Sequence, residues 1–482
     1  MMQLQARRST RDLLPKIDRL FALSAGKIRS IEEMWRPEEG APVFTVQGRY
    51  QARGWTEWTQ GFQFGSALLQ FDATGDQEFL DVGRSRTLER MAPHLTHMGV
   101  HDHGFNNVST YGNLWRLARE GRVEATEWEQ RFYELALRVS GAVQARRWTR
   151  LADGGFIHSF NGAHSLFVDT IRSLRALAIG HLLGQPLMEE QDERVSLLVR
   201  LVQHARATSQ YNVYDGGGRD RFDVRGRTAH ESLFNVANGT YRGPSTQQGY
   251  SPFTTWTRGL AWAMLGFAEQ LEFLDVLPDS ELEGCGGRPG VQSFMLSAAR
   301  ATCDHYIEIA AADGVPYWDA GAPGLGALEG WREKRADPFN DLEPVDSSAA
   351  AIGAQGLLRL AHVIRKLADE ARGTQSAQSP PNESSRSAVF DAGDADRYEQ
   401  AGLQILDTLF AEPYLSVEAD HQGLLLHSVY HWPNGWDHVP SGARTPRGES
   451  SQWGDYHARE AALYVKRLAE GKPYLAFFGP RP

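Results

Sequence analysis

Apolar residues recur at three- and four-residue steps along most of the chain, and the segments that show this fall into two kinds. In one kind charged residues fill the gaps between apolar positions: 11–25, 77–91, 126–143, 192–207, 291–310 and 395–410. Each is expected to lie outermost, with one wet face. The other kind is poor in charge beyond its first turn and rich in Gly, Ala and aromatic residues: 58–71, 104–118, 166–183, 256–271, 347–361 and 455–468. Few charges along a helix body predict burial on several sides. The two kinds alternate, six of each, which predicts an all-α fold: an (α/α)6 barrel, a ring of inner helices wrapped by a ring of outer ones. No second domain is expected, so residues 1–482 read as one barrel. The Ser/Pro-rich stretch 373–395 is expected to be a solvated loop between two helices.

Such alternation makes the inner helices parallel, so their N-termini open onto one face. At or before those starts lie His101-Asp102-His103, His164 to Asp169, Gln248 to Arg258, Asp346-Ser347-Ser348 and Trp453-Gly454-Asp455. The polar and aromatic residues therefore gather at one mouth, where helix N-termini favour anions.

Composition narrows the partner. The chain has 482 residues, 41% hydrophobic and 23% charged, with a formal net charge of −10. That charge argues against nucleic acid, which needs a basic surface, but leaves room for a small anionic ligand held by a few local cations. Thirteen Trp, fifteen Tyr and sixteen His suit a carbohydrate enzyme, and equally a large helical core. Cys285 and Cys303 form no disulfide framework or zinc spacing. With no apolar run of signal or membrane-span length, a cytoplasmic protein without a membrane partner is expected.

The segment 247–267, QQGYSPFTTWTRGLAWAMLGF, is the richest in chemistry. Trp256, Arg258 and Trp262 sit at offsets of two, four and six. On a helix Arg258 and Trp262 share a face, with Trp256 just before them. An exposed guanidinium between indoles would make a platform for a sugar and a carboxylate; the alternative is an aromatic helix start with Arg258 paired to a structural acid. HDHGF sets Asp102 between His101 and His103, as a functional acid or as a helix cap. Asp169 follows the apolar-leaning run Ser165-Leu166-Phe167-Val168. A carboxyl on such a wall holds its proton more tightly, which suits a general acid; a pairing with Arg172 or Arg175 is the alternative. His230, before that segment, and Gln248, at its start, are candidates to bind hydroxyls or are satisfied loop residues. Asp346-Ser347-Ser348 reads first as a cap.

HDHGF, VDTIRSL, TQQGYSPFTTWTRGLAWAMLGF, VPYWDA, DSSAAAIGAQGLLRL, GLLLHSVYH and WGDY stand in the order found in the unsaturated glucuronyl hydrolases, glycoside hydrolase family 88, and the chain resembles that family from about Trp58 to Tyr464. The resemblance implies the same (α/α)6 barrel. It also implies removal of a 4,5-unsaturated uronic acid from the non-reducing end of a small anionic oligosaccharide left by a polysaccharide lyase. The chemistry is hydration of the C4=C5 vinyl ether, with no metal or organic cofactor. One acid that later serves as base is needed, rather than the two spaced carboxylates of ordinary glycosidases. By resemblance Asp169 takes that role and Asp102 is the second essential acid. His101, His230, Gln248, Trp256, Arg258 and Trp262 match binding positions.

Departures fall at Thr170-Ile171-Arg172-Ser173, where relatives often carry an Asn-Met-Met run, and at Phe160, where a Trp is common. The loops 215–223 and 437–450 are elongated. Ser450 and Ser451 are candidates for the serines relatives use near WGDY, and Arg219, Arg225 and Arg227 are candidate sulfate partners or a solvated basic face. Other readings are an unsaturated rhamnogalacturonyl hydrolase, another (α/α)6 enzyme (inverting glycosidase or epimerase), and a non-catalytic sugar-binding toroid.

Overall fold

The computed structural model describes residues 2–4, 7–52, 57–375 and 392–479. In chain order the principal helices are α1 (Leu14–Met34), α2 (Gln60–Thr74), α3 (Gln77–Arg90), α4 (103–119), α5 (Glu127–Arg146), α6 (170–182), α7 (Leu197–Ala207), α8 (Thr257–Asp275), α9 (Gly287–Ile309), α10 (Ser347–Gln375), α11 (Ala392–Leu409) and α12 (Gln452–Ala469). The odd-numbered helices form the outer ring and the even-numbered ones the inner ring of an (α/α)6 barrel. Burial follows the sequence pattern. On α1 the buried positions Ile17, Leu20, Phe21, Ser24, Lys27, Ile28 and Ile31 trace one stripe, whereas α8 is buried at every position from Thr257 to Leu274. Of the expected loop 373–395, residues 376–391 lie outside the described residues; α10 runs on to Gln375 and α11 begins at Ala392.

Inner helices touch at glycine. A Cβ on Gly104 of α4 would stand 2.2 Å from the Ser173 carbonyl oxygen of α6, and one on Gly266 of α8 would stand 2.8 Å from the Arg172 amide nitrogen. No larger residue fits at either crossing. Helix starts carry the expected caps: the Thr126 hydroxyl accepts from the Glu129 amide at 3.2 Å in a reciprocal capping box on α5, and Ser451 accepts from the Gly454 amide at 3.1 Å on α12.

The inner ring is not apolar throughout. Arg172 binds Glu269 at 3.1 Å and Glu460 at 2.7 Å, and Arg359 binds Glu272 at 2.7 Å, all fully buried. Charges so far from water persist only when paired. These pairings also settle the fate of Arg172 and Arg175: neither turns to Asp169, and Arg175 donates to the Gly104 carbonyl at 2.9 Å.

Short antiparallel strands decorate the connections: β1 (Pro42–Val46) with β2 (Arg49–Ala52), β3 (Trp148–Leu151) with β4 (Gly154–Ile157), and β6 (Pro186–Met188) with β7 (Arg194–Ser196). A three-stranded sheet joins β5 (Ser165–Phe167), β8 (Glu231–Asn235) and β9 (Thr240–Ser245) in the order β5-β8-β9, with Ser165 opposite Leu233 and Phe167 opposite Glu231. No described helix is long and apolar enough to cross a membrane.

Candidate active site

The three-stranded sheet is a positioning device. Strand β5 ends two residues before Asp169, β8 begins just after His230, and β9 ends just before Gln247-Gln248. Pairing these strands brings three distant parts of the chain to one rim. The Val168 amide donates to the His230 carbonyl at 2.9 Å, extending the ladder to the residue next to Asp169. On the other side, Asp102 occupies the N-cap of α4, and its side chain makes no capping bond. The cap alternative for Asp102 therefore fails, and its carboxyl is left for the cavity it lines.

His101 joins the two acids. Its Nε2 stands 3.1 Å from Asp169 Oδ1 and 3.8 Å from Asp102 Oδ1. Burial alone would lower the imidazole's pKa, but Asp102 and the hydrogen bond to Asp169 raise it above its ordinary 6.5. Burial raises the pKa of Asp102; His101 opposes this and the Asp169 charge adds to it. The His101 carbonyl accepts from Ser173 Oγ at 2.7 Å and Gln144 Nε2 at 2.8 Å, fixing the segment against α5 and α6. Arg147 clamps the same wall, donating to the carbonyls of Met98, His158 (3.1 Å) and Ser159 (2.6 Å).

Trp58, His101, Asp102, Phe105, Phe160, Phe167, Asp169, Gln247, Gln248, Trp256, Arg258, Trp262, Tyr430, His431 and Trp436 line a common cavity of about 680 Å³, open solvent included. Phe160 lies parallel to His101, ring centres 6.1 Å apart and planes 17° apart.

Of the two readings of Arg258, the structure shows the pairing with a structural acid rather than the exposed platform: the side chain is 1% accessible. Its Nη1 donates to Asp346 Oδ2 at 3.2 Å and to the Val429 carbonyl; its Nη2 donates to Gln248 Oε1 at 2.6 Å and the Tyr430 carbonyl at 2.7 Å. The guanidinium lies over Trp256 and Trp453, 4.7 and 4.9 Å from the ring centres. Paired to a structural acid, it still forms part of the cavity wall. Asp346 serves two purposes: Oδ2 faces Arg258, while Oδ1 accepts from the Ser348 amide at 3.0 Å and caps α10.

His230 sits behind the wall. Its Nδ1 accepts from the amides of Gln247 (3.0 Å) and Gln248 (3.3 Å), so its proton is on Nε2, which has no partner among the described residues. Burial pushes its pKa down to about 4, so it is neutral. Trp256 caps α8 without a side-chain cap bond and packs on His230, ring centres 4.6 Å apart; Trp262 packs on Phe105 at 4.9 Å. Ser450 donates to the Leu425 carbonyl and Ser451 caps α12, so both are structural. Arg225 pairs with Asp304 at 2.8 Å, and Arg219 and Arg227 lie over Tyr214. Arg227 is buried rather than solvated, and none of the three lines the cavity.

Tyr430, His431 and Trp436 were not anticipated as site residues. Asp437 holds them: it accepts from the Tyr430 and His431 amides at 2.5 and 2.8 Å. The signal was the turn-rich HWPNGW, whose Pro and Gly between tryptophans mark a bend that can present rings.

A family model matches residues 40–282, half of the chain: Glycosyl Hydrolase Family 88. The chain belongs to that family. It is accordingly a glycoside hydrolase, and the matched span carries Asp102, Asp169, His230, Gln248, Arg258 and Trp262. Among relatives of this family 88 enzyme, the unsaturated glucuronyl hydrolase of Bacillus sp. (strain GL1) is 25% identical over 87% of this chain and 89% of that protein. The unsaturated chondroitin disaccharide hydrolase of Streptococcus pyogenes serotype M1 is 22% identical, covering 93% of this chain and 90% of that one. The crystal structure of the unsaturated glucuronyl hydrolase of Bacillus sp. GL1 superposes with a TM-score of 0.65 at 21% identity, covering 94% and 97% of the two chains.

Proposed function

We propose that this family 88 enzyme, acting as one catalytic domain over residues 1–482, removes a 4,5-unsaturated uronic acid from the non-reducing end of lyase-generated oligosaccharides by hydrating the C4=C5 bond. The observation that carries the reading is the sharing of His101 Nε2 by Asp169 and Asp102 at the wall of an aromatic cavity. The names of the relatives point to the same substrates.

In this reading Asp169 gives its proton to C4. Positive charge develops at C5 and the ring oxygen, and water adds at C5. Asp169 then takes the water's proton, so one water is consumed and the acid is regenerated. The hemiketal at C5 opens, and collapse at C1 releases the aglycone. His101, held between the two carboxyl groups, orients Asp169. Asp102 binds sugar hydroxyls. Gln248, its amide oriented by the Arg258 guanidinium behind it, meets the uronate carboxylate, the neutral His230 backs the Gln247-Gln248 segment, and Trp256 and Trp262 supply apolar faces.

The test follows the alkene. Unsaturated disaccharides from heparin, chondroitin, hyaluronan and alginate are incubated with the protein, and ultraviolet absorbance and reducing sugar are measured together. Loss of absorbance with aglycone release is expected. Reducing sugar without that loss would assign ordinary hydrolysis instead.

A further inference from the structure

Between Gln248 and Trp256, both in the cavity wall, the chain leaves the rim and returns within 249–255. This short excursion carries two outward rings, Tyr250 at 50% and Phe253 at 43% exposure. It is tightly held. Asp319 Oδ2 accepts from the Tyr250 amide at 2.8 Å and from Thr254 Oγ1 at 3.0 Å, and the Ser251 amide donates to Thr254 Oγ1 at 3.1 Å. A third ring arrives from the elongated loop 215–223. Phe222 packs against Phe253 in a tilted arrangement, centres 4.9 Å and planes 32° apart, and is itself 44% exposed. Asp223 fixes that loop by accepting from the Gly216 and Arg219 amides at 2.9 and 2.7 Å.

Pre-ordered aromatic rings left half in water mark a contact surface. Their occupant should have flat apolar patches and a hydroxylated edge that stays wet, which describes a sugar ring. Rings with two rotatable bonds lose little entropy on contact. Three rings fall well short of the roughly 800 Å² per partner that a stable protein interface buries. Tyr250 and Phe253 also stand two and three residues along the chain from the cavity-lining Gln248 and Trp256. We propose that Tyr250, Phe253 and Phe222 form an outer platform for sugars beyond the cavity, so that this enzyme prefers unsaturated oligosaccharides longer than a disaccharide. This rests on the reading of the cavity given above.

The test compares unsaturated di-, tetra- and hexasaccharides prepared by lyases from hyaluronan, chondroitin and heparin, using the wild type, Phe253→Ser, and a double variant adding Phe222→Ser. In the wild type kcat/KM for the tetrasaccharide should exceed that for the disaccharide by about three- to tenfold, chiefly through KM. In the variants the ratio should fall to about one, with disaccharide kinetics and Tm unchanged. Equal values for the two lengths in the wild type, or equal losses on both lengths in the variants, would overturn the platform while leaving the reaction standing. Absence of alkene loss with every length would overturn both. Sedimentation of wild type and double variant is the companion measurement: a wild-type dimer that the variant dissociates would assign the rings to a second copy and also overturn the proposal.

Discussion

Asp169 and Asp102 lie 3.1 and 3.8 Å from one imidazole nitrogen of His101. Asp169→Asn keeps the shape and a hydrogen-bonding group but cannot supply the proton. Its turnover should fall by about 10²–10⁴-fold or more, with Tm little changed, as read by alkene absorbance and a thermal melt. Wild-type turnover in that variant would remove Asp169 from the chemistry. Arg258 makes a different prediction because it is buried against Asp346. Arg258→Ala should raise KM for the charged substrate about tenfold or more and destabilise the fold by about 3–5 kcal/mol, since Asp346 loses its partner. An unchanged KM would exclude Arg258 from carboxylate recognition. Residue types in order were enough to single out both side chains, but not their surroundings. The pairing of Asp169 with His101 crosses 68 positions of sequence, and nothing local announces it. For Arg258 the exposed platform and the structural pairing stand open in the sequence, because most of its acceptors are carbonyls and an acid 88 to 172 positions away.

At the scale of elements, the inner helices must approach closely for their N-terminal residues to share one cavity. Gly104→Ala, two residues after Asp102, would thrust a methyl group against Ser173, four residues after Asp169. Destabilisation by about 1–3 kcal/mol is expected, with a fall in kcat exceeding what the Tm shift explains. Full activity and stability would show that the crossing relaxes at no cost. The twelve helices were legible because the charge-bearing and charge-poor kinds differ along their whole length. The strands β5, β8 and β9 were not: each has only three to six residues, and they pair across stretches of chain whose meeting depends on the barrel itself. With them was lost the reason why Asp169, His230 and Gln248 converge. Tyr430, His431 and Trp436 belong to a loop held by Asp437 on one side and by Arg258, through the Val429 and Tyr430 carbonyls, on the other.

At the scale of the molecule, burial holds many imidazoles neutral. The pKa values of His204 and His457 are pushed down to about 3, and those of His94, His103, His158, His230, His305, His427 and His431 to about 4. In the unfolded chain these groups take up protons near pH 6.5, so between pH 6.5 and 4 the unfolded state binds more protons and acid favours it. For the fully buried His204, His230 and His457 the loss approaches about 1.4 kcal/mol each per pH unit. Glu272, raised to about 7, Asp319 and Asp437, raised to about 6, and His101, Asp102, Asp313 and Asp455, also raised, act in the opposite sense but are fewer than the nine histidines. Tm should therefore fall steadily from pH 7 to pH 5. A flat or rising Tm over that range would contradict the burial of these histidines.

The central claim is that a carboxyl protonates an alkene carbon, so the fate of that carbon is the most direct evidence. An unsaturated disaccharide is turned over in D₂O and the earliest product is read by NMR. A deuterium at C4 and loss of the C4=C5 bond in step with aglycone release are predicted. Release of the aglycone with the C4=C5 bond intact in the liberated sugar would contradict the account.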